Sequence, residues 1–127
     1  LVRCPTASSR AFARYGADWV ALDAPRHLFV PTRAAMAALA ARAGWAVEAV
    51  ADDATTLQCW GSRQNRRGVA MMSPASRMRT PWRPRVDWLR MPWWAWRTRR
   101  DNRACRGDQA CWILRPAAAA KRTTEGL

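Results

Sequence analysis

The chain has 127 residues, enough for one domain of ordinary size and too few for two. Half of it counts as hydrophobic, but eight Leu, seven Val, one Ile and two Phe are all the large aliphatics and Phe it has; with nine Trp, that permits a small core and excludes a large sealed one. Twenty-two basic against nine acidic residues leave +13, a balance that attracts nucleic acid or anionic lipid non-specifically.

In chain order, Val2-Arg3-Cys4-Pro5 reads as the end of a buried strand meeting a loop, an abrupt opening that predicts further domain sequence upstream. Residues 5 to 26 are irregular by pattern, with room for a short helical turn over Ser9–Tyr15 capped by Ser8 or Ser9. The brief apolar run His27-Leu28-Phe29-Val30 stops at Pro31. The clearest element follows: Thr32 is a good N-cap, Arg33 to Ala43 is built almost wholly of helix formers, and Gly44 stands where a left-handed C-cap is expected. Met36, Leu39, Ala40 and Ala43 recur at helical spacing and predict a core-facing stripe.

Trp45 to Val50 alternates and predicts a strand, Asp52-Asp53 punctuates, and Thr55 to Trp60 reads as another extended piece. Helix followed at once by strand is the habit of α/β layer folds. Between Ser73 and Arg103, Arg, Pro and Trp interleave without helical or strand period, and prolines 81, 84 and 92 interrupt any regular element. After a turn at Arg106-Gly107-Asp108, Gln109 to Leu114 predicts a last strand, which Pro116 ends. The division is therefore 1–72, the irregular block 73–104, the strand segment 105–116 and a frayed tail 117–127.

No apolar run approaches the roughly 20 residues that span a bilayer, and Leu1 to Arg10 lack the pattern of a secretory signal. A cytoplasmic location follows as the expectation. Cys4, Cys59, Cys105 and Cys111 form no Cys-x-x-Cys pair and, with one histidine in the chain, make a poor zinc set; no metal ligands are assigned.

The segment Tyr15-Gly16-Ala17-Asp18-Trp19-Val20-Ala21-Leu22-Asp23-Ala24-Pro25-Arg26-His27-Leu28 resembles one found in class I S-adenosylmethionine-dependent methyltransferases. There a strand ends in an Arg-x-Pro-like turn, a Trp-x-x-Leu-Asp-x-Pro-Arg-His-Leu segment follows, and a helix and strand come next. Arg3-Cys4-Pro5, the quoted segment, Thr32 to Gly44 and Trp45 to Val50 stand in that order. Gln58-Cys59-Trp60-Gly61-Ser62 and Arg106-Gly107-Asp108-Gln109-Ala110-Cys111-Trp112 also look like the family, the latter like the turn into its final, antiparallel strand.

The resemblance implies an α/β fold, the C-terminal half of a doubly wound Rossmann-like methyltransferase sheet, incomplete within this chain. It implies methyl transfer from S-adenosylmethionine to an unidentified acceptor. The family holds this cofactor with a Gly-rich loop after its first strand and an acid ending its second, and neither is here: the six glycines are isolated. No residue is therefore assigned to the cofactor, and this chain by itself is expected to be inactive and marginally folded.

His27 is the candidate catalytic group, able to deprotonate or orient an acceptor atom; equally, it can bond a nearby carbonyl and pin its loop. Arg26 can hold an anionic substrate group or pair with Asp23. Trp19 can wall a substrate pocket or pack. Asp18, Asp23, Asp52 and Asp53 offer carboxylates for a metal, although Asp52-Asp53 has the look of a turn. The rival reading is a small basic protein that binds nucleic acid or an anionic surface through its Trp/Arg block.

Overall fold

The computed structural model describes residues 1–23, 26–71, 73–76 and 89–117. Among these residues the elements follow in the order β1 (Val2–Pro5), α1 (Arg10–Tyr15), two single 3-10 turns (Gly16–Asp18 and Val20–Leu22), α2 (Arg33–Arg42), β2 (Trp45–Asp52), α3 (Leu57–Asn65), α4 (Met91–Arg103) and β3 (Gln109–Pro116). The fold is mixed α/β.

The three strands form one sheet in the order β1-β3-β2. β3 runs antiparallel to both neighbours, pairing Val2 with Trp112 and Pro5 with Gln109 on one side, and Trp45 with Pro116 and Asp52 with Ala110 on the other. β1 and β2 are consequently parallel to each other and end at the same edge, where β3 begins. Main-chain and side-chain bonds tie that edge together: Thr6 N donates to Asp108 O (3.1 Å), Asp53 N to Gln109 O (3.2 Å), and Asn102 Nδ2 to Ala54 O (3.0 Å).

The predicted helix at Thr32 is present. Thr32 Oγ1 accepts from Ala35 N (3.1 Å), and Gly44, at φ +78°, turns the chain out of α2 in the left-handed conformation that costs glycine least. Its apolar stripe is corrected by the structure: Ala40 is buried, but Leu39 and Ala43 are exposed. β2, on which α2 rests, is an edge strand, so the helix lacks sheet beneath its far side. The short helix after Ser9 also forms, with Ser9 Oγ accepting from Phe12 N (3.0 Å). Val2–Pro5 is a strand, though exposed at Val2 and Arg3, half-buried at Cys4 and buried only at Pro5, not the buried one expected.

Two further expectations are overturned. Thr55 to Trp60 is not extended; α3 begins at Leu57. Its Gly61 permits close packing, since a Cβ there would meet Val20 Cγ2 and Leu57 Cδ1 at 2.9 Å. The block 73–104 is not irregular throughout, for Met91–Arg103 is a helix of 13 residues. Pro92 lies in its first turn, where the missing N–H has no partner to lose. Trp94, Thr98 and Asp101 then recur at i, i+4 and i+7 as the buried face. The Pro81-Trp82-Arg83-Pro84-Arg85 stretch, Trp88, Ala24-Pro25 and the tail from residue 118 lie outside the described residues.

The core is small and partly polar. Trp19, 1% exposed, is packed with Ala11 and Tyr15, flanked by Phe12, Val20, Ala21, Leu22 and Val30. Phe12 meets Trp19 edge-on, with centroids 5.4 Å apart. Ala110 and Trp112 are buried on the inward face of β3. Polar side chains complete the interior by pairing: Gln58 Nε2 donates to Thr98 Oγ1 (3.2 Å), and Ser62 Oγ accepts from Val20 N (3.0 Å). Among the described residues, no helix is long and apolar enough to cross a membrane.

Candidate functional site

The edge where β1 and β2 end carries a cavity of about 520 Å³. Its wall includes His27, Arg26 and Asp23 from the loop after the second 3-10 turn, Asp108 and Gln109 from the start of β3, and Gln58 of α3. This is where α/β folds bind ligands, because loops leaving the carboxyl ends of parallel strands converge there while the sheet fixes their bases.

Asp108 is the group that sequence reasoning overlooked. It was legible only as a turn residue ahead of a strand; its burial depends on Trp19, far away in the chain. The residue is 4% exposed, and Trp19 Nε1 donates to its Oδ2 at 3.1 Å. Burial pushes the carboxyl from the ordinary 3.8 up to about 6, with the Trp19 bond and its own main chain pulling the other way and the nearby charges of Asp52 and Asp53 adding to the rise. A carboxyl in that range exchanges its proton near neutral pH.

A stability signature follows. The raised group binds a proton more tightly in the folded chain than in the unfolded one, so its contribution is complete below about pH 4 and is lost as pH rises through about 6. A gap of this size corresponds to about 3 kcal/mol. Asp108→Asn, which keeps the acceptor for Trp19 and carries no charge, is expected to match the wild type below pH 4 and to melt several degrees higher above pH 7. A melting-temperature difference that stays flat across this range would refute the assignment.

His27 Nδ1 lies 3.0 Å from the carbonyl of Ala21, toward which it donates in the neutral ring. The bond pins the loop and also fixes the tautomer, leaving Nε2 as the proton-accepting nitrogen. Arg26 pairs with Asp23 at 3.1 Å and is largely exposed, while both line the cavity. Trp19 stands behind the site as the support of Asp108, not on the cavity wall. The structure thus brings His27 and Arg26 together and adds Asp108 to them.

The four aspartates considered as metal ligands are each taken by a different arginine: Asp18 by Arg66 (2.9 Å), Asp23 by Arg26, Asp52 by Arg33 (2.6 Å) and Asp53 by Arg3 (2.6 Å). Among the described residues, no three His, Cys, Asp or Glu side chains are grouped to hold a metal. All four cysteines are free thiols, and burial pushes those of Cys4 and Cys59 upward.

The described residues do not fit an S-adenosylmethionine cradle. No Gly-x-Gly turn follows a strand, and the N–H groups that leave β1 are already engaged: Ala7 N with Pro31 O (3.0 Å), Ser9 N with Thr6 O (3.2 Å) and Arg10 N with Arg106 O (3.0 Å). No protein-family model, curated protein or solved structure matches the chain at a significant level.

Proposed function

We propose that this chain is the C-terminal part of a Rossmann-like S-adenosylmethionine-dependent methyltransferase domain and supplies its acceptor side. The observation that carries the reading is the sheet: two parallel strands end at one edge, and a last strand, antiparallel as the resemblance implies, starts there. The cavity at that edge supports it further, since it holds two groups suited to receive a proton, His27 Nε2 and the Asp108 carboxyl. In this reading the acceptor molecule lies against His27, whose Nε2 takes the proton that the reacting atom sheds. Asp108 helps to set the charge of the pocket, and Arg26 screens its mouth. Holding the cofactor falls to sequence outside this chain, because nothing described here is shaped for it.

The test joins the chain to the coding sequence upstream of the Leu1 codon and titrates both proteins with S-adenosylmethionine in a calorimeter. This chain alone is expected to release no binding heat, and the longer protein to bind. In the longer protein, His27→Ala should keep cofactor affinity and lose at least about tenfold of the transfer of labelled methyl into a cell extract. Upstream sequence without a Gly-rich turn after a strand, or cofactor binding by the chain alone, would overturn the reading.

A further inference from the structure

A second cleft, of about 330 Å³, lies between α1, α3 and α4. Arg10 and Arg14 reach it from α1, Arg63 from α3, Arg90 from the approach to α4 and Arg97 from α4; Asp101 is the one carboxylate on its wall among the described residues. Several of these arginines are held in place. Arg10 and Arg97 share Asp101 at 3.1 and 3.7 Å, Arg97 also lies over the ring of Trp93 (5.2 Å), and Arg14 over that of Tyr15 (5.6 Å). Converging guanidinium groups repel one another, and a bound anion relieves that repulsion without any rearrangement of the site.

The cleft does not end at its rim. Trp93 and Trp96 are each about half exposed, Arg100 lies over Trp96 (5.7 Å), and Trp96, Arg99, Arg100 and Arg103 shape a further shallow hollow along α4. Two ring–guanidinium stacks, Trp93 with Arg97 and Trp96 with Arg100, thus lie about one turn apart, and Arg103 carries the basic face on to about 15 Å of helix. Trp94, between the two exposed rings in sequence, is core at 3% exposure and reaches the cleft from the buried face of α4.

We propose that this cleft and the exposed face of α4 bind single-stranded nucleic acid, with a phosphate among the arginines of the cleft and a base stacked on Trp93. The stacking of arginines on exposed rings favours this partner over a lipid surface. A helix lying on a membrane separates apolar from charged residues into two faces, whereas α4 mixes them on its exposed face and buries Thr98 and Asp101 on the other. The proposal is independent of the methyl-transfer reading and stands on different residues.

The test is fluorescence anisotropy of the chain with a labelled oligothymidylate over a range of salt. Binding should weaken steeply as salt rises. Arg14→Gln with Arg90→Gln, both exposed positions, should weaken it about tenfold or more and flatten the slope of log affinity against log salt by about 0.7, the share of one phosphate contact on a single strand. Trp93→Ala should weaken it about fivefold to a hundredfold with the slope unchanged, and Trp93→Phe should restore most of the loss. Circular dichroism checks that each variant folds. Equal affinity for a duplex of the same length, tighter binding to anionic vesicles, or arginine variants with the wild-type slope would each overturn the proposal.

Discussion

Asp52→Ala is expected to cost about 3–5 kcal/mol, a large share of the stability a domain of this size has to lose. The side chain closes β2 and is fully buried. Both of its oxygens accept from Arg33 Nη2, at 2.6 and 2.8 Å, and Oδ2 accepts in addition from Gly107 N at 2.7 Å. One carboxylate thus holds the start of α2, the end of β2 and the approach to β3. Without it the Arg33 guanidinium, 22% exposed, loses its counter-charge and the Gly107 N–H its acceptor. The close approach also requires glycine at 107, where a Cβ would collide with Asn102 Oδ1 and crowd Asp52. Asp52→Asn, which can still accept from Gly107, should lose less. A combined Arg33→Met, Asp52→Leu variant should lose less than the sum of Arg33→Met and Asp52→Leu alone, since charge is then removed from both sides. Urea unfolding followed by tryptophan fluorescence measures all of these, and a loss under about 1 kcal/mol for Asp52→Ala would contradict the account.

Trp19→Ala should be of similar severity, about 3–5 kcal/mol, through the void left at the centre of the apolar cluster. Trp19→Phe separates packing from polarity. It retains a ring beside Phe12 and removes the N–H that reaches Asp108, so it should cost less than Trp19→Ala. It should also move the Asp108 titration to higher pH, because the lost bond is one that favours the charged form. The pH midpoint of the melting-temperature difference between Trp19→Phe and its Asp108→Asn double variant reads this shift. A Trp19→Ala protein that unfolds at the wild-type urea concentration would return Trp19 to the role of a pocket wall.

What could be read without coordinates was local chemistry. The Thr32 and Ser9 caps, the glycine after α2, the strand β2 and the turn into β3 each depend on neighbours within a few residues, and each stands where expected, although a register shift between Val47 and Ala49 breaks the alternation of β2. The two bonds that anchor the His27 loop, His27 to Ala21 and Arg26 to Asp23, are of the same short range. What escaped depended on distant partners. α3 is helical although it contains Gly61, because that glycine lets Val20 come close. In α4 a proline was taken for a breaker when it stands in the first turn, and the buried period of Trp94, Thr98 and Asp101 was masked by two exposed tryptophans beside it. Asp108 is unremarkable as a residue in a turn and acquires its character only under the indole of Trp19.

The placement of β3 between β1 and β2 has a consequence for how the chain is made. Val2 pairs with Trp112 and Asp52 with Ala110, so within this chain neither early strand has a described sheet partner before the last one exists. On the ribosome, α1 and α2 can coil as they emerge, but both early strands wait with open edges until Gln109–Pro116 is released. Translation that halts anywhere before Gln109 therefore removes every strand pairing described here at once, and leaves the β3-facing edges of β1 and β2 open to any aggregating neighbour.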